Sequence, residues 1–195
     1  MSAQGDPCGE DADGASGAGD RLLAVRAAEG DEEAFEVLVH RHGAAVLQLA
    51  ERLMGTRTEA EDAARDAFVS AWRRLPEFRG EAGFGAWLHR IVTNRCLNLL
   101  RARRPVADPD AVPEPAPPEH RSPPVRAAES NAAAHDLDLA MRCLSAEQRV
   151  CWVLREIEGM PYESIAQTVR ISPEAVRARV FRARCVLTEA MAAWR

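Results

Sequence analysis

The stretch "YESIAQTVRISPEAVRARVFRAR", residues 162–184, decides how this chain folds. Residues 162–169 read as one short amphipathic helix, and "RIS" at 170–172 leaves room only for a tight turn. Pro173 then stands where a second helix can begin, because a first-turn residue needs no N–H. Two short helices joined this closely have helix-turn-helix spacing. At about 100° per residue, Val176, Val180, Ala183 and Leu187 share one side and are predicted to pack inward. Glu174, Ala178, Phe181, Arg182 and Cys185 share the other, with Arg177, Arg179 and Arg184 on the flanks. No acid occurs from 175 to 188. A face built only for solvation mixes charge signs, whereas a helix in a DNA major groove presents arginine to guanine edges or phosphates. Arginines pairing with acids elsewhere in the chain remain the alternative at this point.

The rest of the chain carries no competing chemistry. Its 195 residues allow one ordinary domain or two small ones. Alanine is abundant, aromatics are 5% and β-branched residues are sparse, which favours an all-α fold. The net charge of −5 argues against nucleic-acid binding only as an average. Residues 1–19 hold four acids and no base, whereas 136–195 hold nine bases and eight acids. All 25 basic residues are arginine, whose planar fork suits phosphate and guanine. The five cysteines have no CxxC and no zinc-type spacing with the histidines, so free thiols in a reducing cytoplasm are expected, with no metal or other cofactor. No apolar run approaches the ~20 residues of a membrane span, so no membrane insertion is expected. No phosphate-binding glycine loop, metal cluster or nucleophile–base pair marks an enzyme.

Two breaks divide the chain. Residues 1–19 are glycine-rich and acidic without apolar periodicity and are predicted to be a disordered tail. Residues 105–124 contain eight of the twelve prolines, which defeats helix and strand alike, so 105–135 reads as a linker. A first helical domain at 20–104 and a second at 136–195 follow. In the first, "DEEAFEVLVHRHGAAVLQLAERLMG" (31–55) opens on Asp31 as an N-cap and stops at Gly55. Residues 58–75, "TEAEDAARDAFVSAWRRL", bury one stripe and expose Glu61, Asp62, Arg65, Asp66 and Arg73. "PEFRGEAG" (76–83) breaks the pattern before a long helix ending in "RARR". Trp72 and Trp87 lie on apolar stripes and are read as core. In the second domain, Ser145 and Gln148 have capping-box spacing.

These ordered segments together resemble a sigma factor of bacterial RNA polymerase, of the extracytoplasmic-function type of the sigma-70 family. The first domain is similar to sigma region 2 and the second to region 4, over about 145 residues. The resemblance implies an initiation subunit that binds core RNA polymerase and promoter DNA. It places core docking at Glu61, Asp62 and Asp66. It implies that the loop captures a flipped minus-10 base, through Phe78, Arg79, Gly80, Glu81 and Phe84 with Asn94 beside them, while Arg90, Arg95, Arg101, Arg103 and Arg104 follow the backbone. It assigns minus-35 bases to Arg177, Ala178, Phe181 and Arg182, and phosphate or support to Arg179, Arg184 and Ser172. Arg179 lies toward the buried edge, within reach of Glu163. Members of the family are usually restrained by an anti-sigma factor, a further expected partner. Arg170 stands where the family usually has glycine. The competing reading is a stand-alone helix-turn-helix regulator that uses the first domain as a dimerisation or ligand module.

Overall fold

A computed structural model describes residues 11–81, 83–103 and 140–190, and every regular element among them is helical. The expected linker, Arg104 and residues 1–10 of the expected tail lie outside the described residues.

The first domain is four helices: α1 (Asp11–Ala28), α2 (Glu32–Met54), α3 (Arg57–Arg74) and α4 (Phe84–Arg103). Helices α2, α3 and α4 pack mutually. Helix α3 contributes Ala60, Ala63, Ala64, Ala67 and Ala71, all buried, so its backbone approaches its neighbours closely. Leu38, Leu53, Leu88 and Val92 close the core from α2 and α4. The ends of α2 follow the sequence signals. Asp31 accepts from the Ala34 N–H at 3.0 Å, and Gly55 takes the left-handed conformation at φ 81°.

Helix α1 corrects the expected tail boundary, since residues 11–19 are helical. Its own apolar face is weak; tertiary contact holds it instead. Ala24 and Ala27 are buried against the core. Asp20, 4% exposed, accepts from Arg41 Nη1 at 2.8 Å and lies 2.7 Å from His42 Nε2, both on α2.

The second domain comprises residues 140–143, α5 (Ala146–Trp152), a π turn (Val153–Ile157), α6 (Tyr162–Val169) and α7 (Pro173–Ala190). The capping box at Ser145 and Gln148 forms in both directions, at 3.2 and 3.0 Å. Val176, Val180, Ala183 and Leu187 are the buried residues of α7, as their spacing predicts. Cys96 and Cys151 lie in the two cores, and burial pushes their thiols up to about 12 and about 11.

The domains touch through α4. Its Arg90 donates to Gln167 Oε1 at 3.2 Å, Asn94 to the Thr168 carbonyl at 3.1 Å, and Arg101 to Glu147 Oε1 at 2.6 Å. Arg52 on α2 pairs with Glu158. Burial holds His89, on α4, below the ordinary imidazole range, while the Glu158 charge pulls the other way.

Candidate nucleic-acid interface

The helix-turn-helix is α6 and α7. Between them Arg170 caps α6 at φ 59°, ψ 50°, where glycine would carry no steric penalty. Ser172 caps α7, its Oγ accepting from the Ala175 N–H at 3.2 Å, so its structural role is visible without DNA. The outward face of α7 centres on Phe181, 66% exposed, with Ala178 and Arg182 half-buried beside it. The Phe181 ring therefore adds little to the packed core of the domain.

The arginines of α7 divide by partner. Arg177 reaches Glu163 at 3.3 Å and Glu174 at 3.7 Å, and its guanidinium lies 5.2 Å from the Tyr162 ring centroid. Arg155 covers the same ring at 4.6 Å. The expected Arg179–Glu163 pair is therefore corrected: Glu163 belongs to Arg177, and Arg179 turns inward to bond Cys151. Arg177 lies over α6, within reach of Glu163 and the Tyr162 ring, whereas Arg179 lies beside Cys151 of α5. Arg184 donates to Glu156 at 2.7 Å.

The loop between α3 and α4 starts with a 3-10 turn at Leu75–Glu77. Gly80 and Gly83 take φ 75° and 73°, conformations that side chains resist. Phe78 is half-buried, its ring 5.7 Å from Phe84 and 5.2 Å from Trp87. Arg79 and Glu81 are exposed. Phe84 corrects the expected base contact: at 1% exposure it is core, and it supports the loop from beneath. Trp87 completes a triangle of rings with the two phenylalanines, half-buried rather than enclosed.

On α4, Arg90 and Asn94 are taken up by the second domain as described above. Arg95 binds Asp66 on α3, its Nε 3.0 Å from Oδ2, which joins one expected DNA contact to one expected docking residue. Glu61 and Asp62 are exposed and bonded within α3, to Arg57 at 2.9 Å and Arg65 at 2.8 Å. Arg103 pairs with Glu59. Beside these acids Phe35, Val39, Phe68, Val69 and Trp72 line an apolar groove of about 450 Å³, rimmed by Glu32 and Arg65. Trp72 is thus a groove wall, 4.9 Å from Phe35. The sequence stripe that contains Trp72 signals burial and conceals this opening.

Residues 38–106 match Sigma-70 region 2, and residues 134–184 match Sigma-70, region 4. The RNA polymerase sigma-H factor of Pseudomonas aeruginosa is 34% identical over 88% of this chain and 93% of its own length. The ECF RNA polymerase sigma-E factor of Escherichia coli K12 is 32% identical over 85% of this chain and 90% of its own. Among solved structures, CnrH in complex with the cytosolic domain of CnrY superposes with a TM-score of 0.62 at 32% identity, covering 90% of this chain and 98% of CnrH. The sigma factor RpoE of Bartonella quintana, solved with the anti-sigma factor NepR, shares the fold at TM-score 0.57 and 24% identity, over 83% of this chain and 98% of its own.

A helical region 2 domain followed by a helix-turn-helix region 4 domain defines a subunit of transcription initiation. The chain belongs to the extracytoplasmic-function sigma factors of the sigma-70 family. It is an alternative sigma factor that joins core RNA polymerase and directs it to promoter DNA, rather than a regulator acting alone. No helix among the described residues is long and apolar enough to cross a membrane.

Proposed function

We propose that this sigma factor reads two promoter elements with two separate domains, 20–104 and 136–195, tethered by the proline-rich 105–135. Helix α7 enters the major groove of the minus-35 element. Phe181, Ala178, Arg177 and Arg182 address bases, while Arg184 serves phosphate and Arg179 and Ser172 hold the helix in place. The observation that carries this reading is Phe181, an aromatic ring 66% exposed on the outward face of an arginine-rich helix. An apolar ring there suits a thymine methyl group, and neighbouring guanidinium groups suit guanine or phosphate.

The loop at 78–83 receives a base extruded from the minus-10 element. Extrusion costs a few kcal/mol, which contacts from Phe78, Arg79, Gly80 and Glu81 offset. Arg90, Asn94 and Arg95 border the loop along α4, and Arg101, Arg103 and Arg104 extend the basic track. The contacts of Arg90 and Asn94 with α6 use the donors that DNA requires, so the domains separate when promoter is bound. The interdomain ion pairs are partly exposed, worth about 0–1 kcal/mol each, and present a low barrier to that separation.

Core polymerase docks on α3 at Glu61, Asp62 and Asp66, with the adjoining apolar groove as part of the same face. The acids already bond arginines in water, so exchanging those partners for polymerase cations costs little. The subunit contributes binding and DNA opening, not catalysis, and works in the cytoplasm. CnrH is held by the cytosolic domain of CnrY; an anti-sigma factor of comparable role restrains this chain.

Run-off transcription with purified core polymerase, followed by genome-wide mapping of start sites, tests the reading. Start sites sharing two upstream elements at fixed separation are the expected result. Transcripts that lack a common pair of elements would refute it.

A further inference from the structure

Arg21 lies outside the span that matches region 2, yet it reaches the loop on which the reading above depends. A Cβ placed on Gly80 would stand 2.9 Å from Arg21 Nε, 3.2 Å from Cδ and 3.3 Å from Cζ. The guanidinium of α1 therefore rests on the Gly80 backbone, and the missing side chain is what admits it.

Two further observations give that contact a purpose. First, α1 is fixed in place. The adjacent Asp20 is buried and engaged by Arg41 and His42, and Ala24 and Ala27 pack inward one and two turns on. The carboxylate next to Arg21 is thus committed to other cations. Second, Arg21 has no hydrogen bond or ion pair among the described residues, and neither does Arg79 next to Gly80 in the chain, although both are exposed. Most other arginines of this domain have a carboxylate partner: Arg26, Arg41, Arg52, Arg57, Arg65 and Arg95 among them. Gly80 is thus approached by Arg21 from α1 and preceded in the chain by Arg79, neither with a carboxylate partner, while the exposed Glu81 follows it.

We propose that Arg21 is a DNA contact of the minus-10 site, its guanidinium taking a phosphate of the unpaired strand beside the base that the loop receives. This rests on the assignment of the loop in the preceding subsection. A phosphate is assigned rather than a base edge because Arg21 lies against the loop backbone at Gly80, and phosphate contacts are the ones that position a protein on the strand. Helix α1 becomes a third wall of the site, beside the loop and α4.

The test uses holoenzyme assembled from the full chain and core polymerase. The probe is a fluorescent single strand carrying the minus-10 region of a promoter from which the wild-type holoenzyme initiates. Arg21→Ala is expected to weaken binding roughly tenfold. It should also lower the slope of log affinity against log salt by about 0.7, the value for one phosphate on a single strand. Arg21→Lys should keep the slope. Core binding and thermal melting should be unchanged in both variants. Unchanged affinity and slope in Arg21→Ala would overturn the proposal. So would a loss of affinity with unchanged slope that lysine fails to rescue, which would mark Arg21 as a prop for the loop. If the wild-type holoenzyme initiates but does not bind the single strand, the loop assignment itself falls, and this inference with it.

Discussion

Asn94 Nδ2 donates to the carbonyl of Thr168 at 3.1 Å and to that of Arg90 at 2.8 Å, so both donors of this α4 side chain are held by protein. An amide nitrogen has two hydrogens, and both are in use. A promoter contact made by the Asn94 donors therefore requires α6 to leave. With fluorophores at Cys185, exposed on α7, and at an Asn98→Cys substitution on the exposed side of α4, energy transfer should fall when core polymerase and promoter are added. The remaining exposed cysteines are first replaced by serine. Unchanged transfer would show that the domains stay docked.

Phe181 separates recognition from folding. Because its ring is 66% exposed, Phe181→Ala should change the melting temperature little. Promoter-specific transcription should fall by about 1–3 kcal/mol of binding, about five- to 150-fold, with core binding by gel filtration intact. Arg177→Ala should behave likewise. Equal losses of transcription and core binding would remove α7 from the minus-35 contact.

Phe84 should do the reverse. Its ring is enclosed, so Phe84→Ala should cost about 3–5 kcal/mol and unfold the first domain at lower denaturant. Phe84→Leu should recover most of the stability and most of the transcription. A Phe84→Ala protein that melts normally but fails on single-stranded DNA would restore this ring to the binding surface.

Arg170 is the one described non-glycine residue at positive φ. A left-handed arginine costs about 1 kcal/mol, of which the greater chain entropy of glycine takes back part. Arg170→Gly should raise the melting temperature by a few degrees at most, or leave it level, in calorimetry. A clear drop would mean that the Arg170 side chain supports the turn.

His89 makes the interface between the domains pH-dependent. Its folded pKa is depressed by burial, so near pH 6 the unfolded chain binds more protons. The stabilisation is complete above the ordinary imidazole value of about 6.5 and is lost as pH falls through that value toward the depressed one. Glu158, itself paired with Arg52, moderates the effect. Melting between pH 7.5 and 5 should show a slope that His89→Asn flattens; parallel curves would contradict the assignment.

The helices whose signals are local were legible in the sequence. The caps at Asp31, Gly55 and Ser145 appear where short-range hydrogen bonding demands them, and the buried side of α7 follows from a fixed angular step. What depends on distant partners was not legible. Helix α1 forms because Asp20 meets Arg41 and His42, which no periodicity announces. Arg179 and Arg177 differ by two positions, and Glu163 pairs with Arg177 rather than Arg179 because one faces Cys151 and the other Tyr162. The aromatic pattern of the loop was visible, but only packing distinguishes Phe78 at the surface from Phe84 below it.

The two buried thiols, one per domain, amount to built-in timers. Cys96 and Cys151 are enclosed and held protonated, so neither reacts with an alkylating reagent until its own domain opens. With the other cysteines replaced, the rates at which the two are labelled in native buffer report the opening free energy of each half separately. Equal rates would mean that the halves unfold as one cooperative body, and unequal rates that one reader of the promoter can melt while the other stays intact.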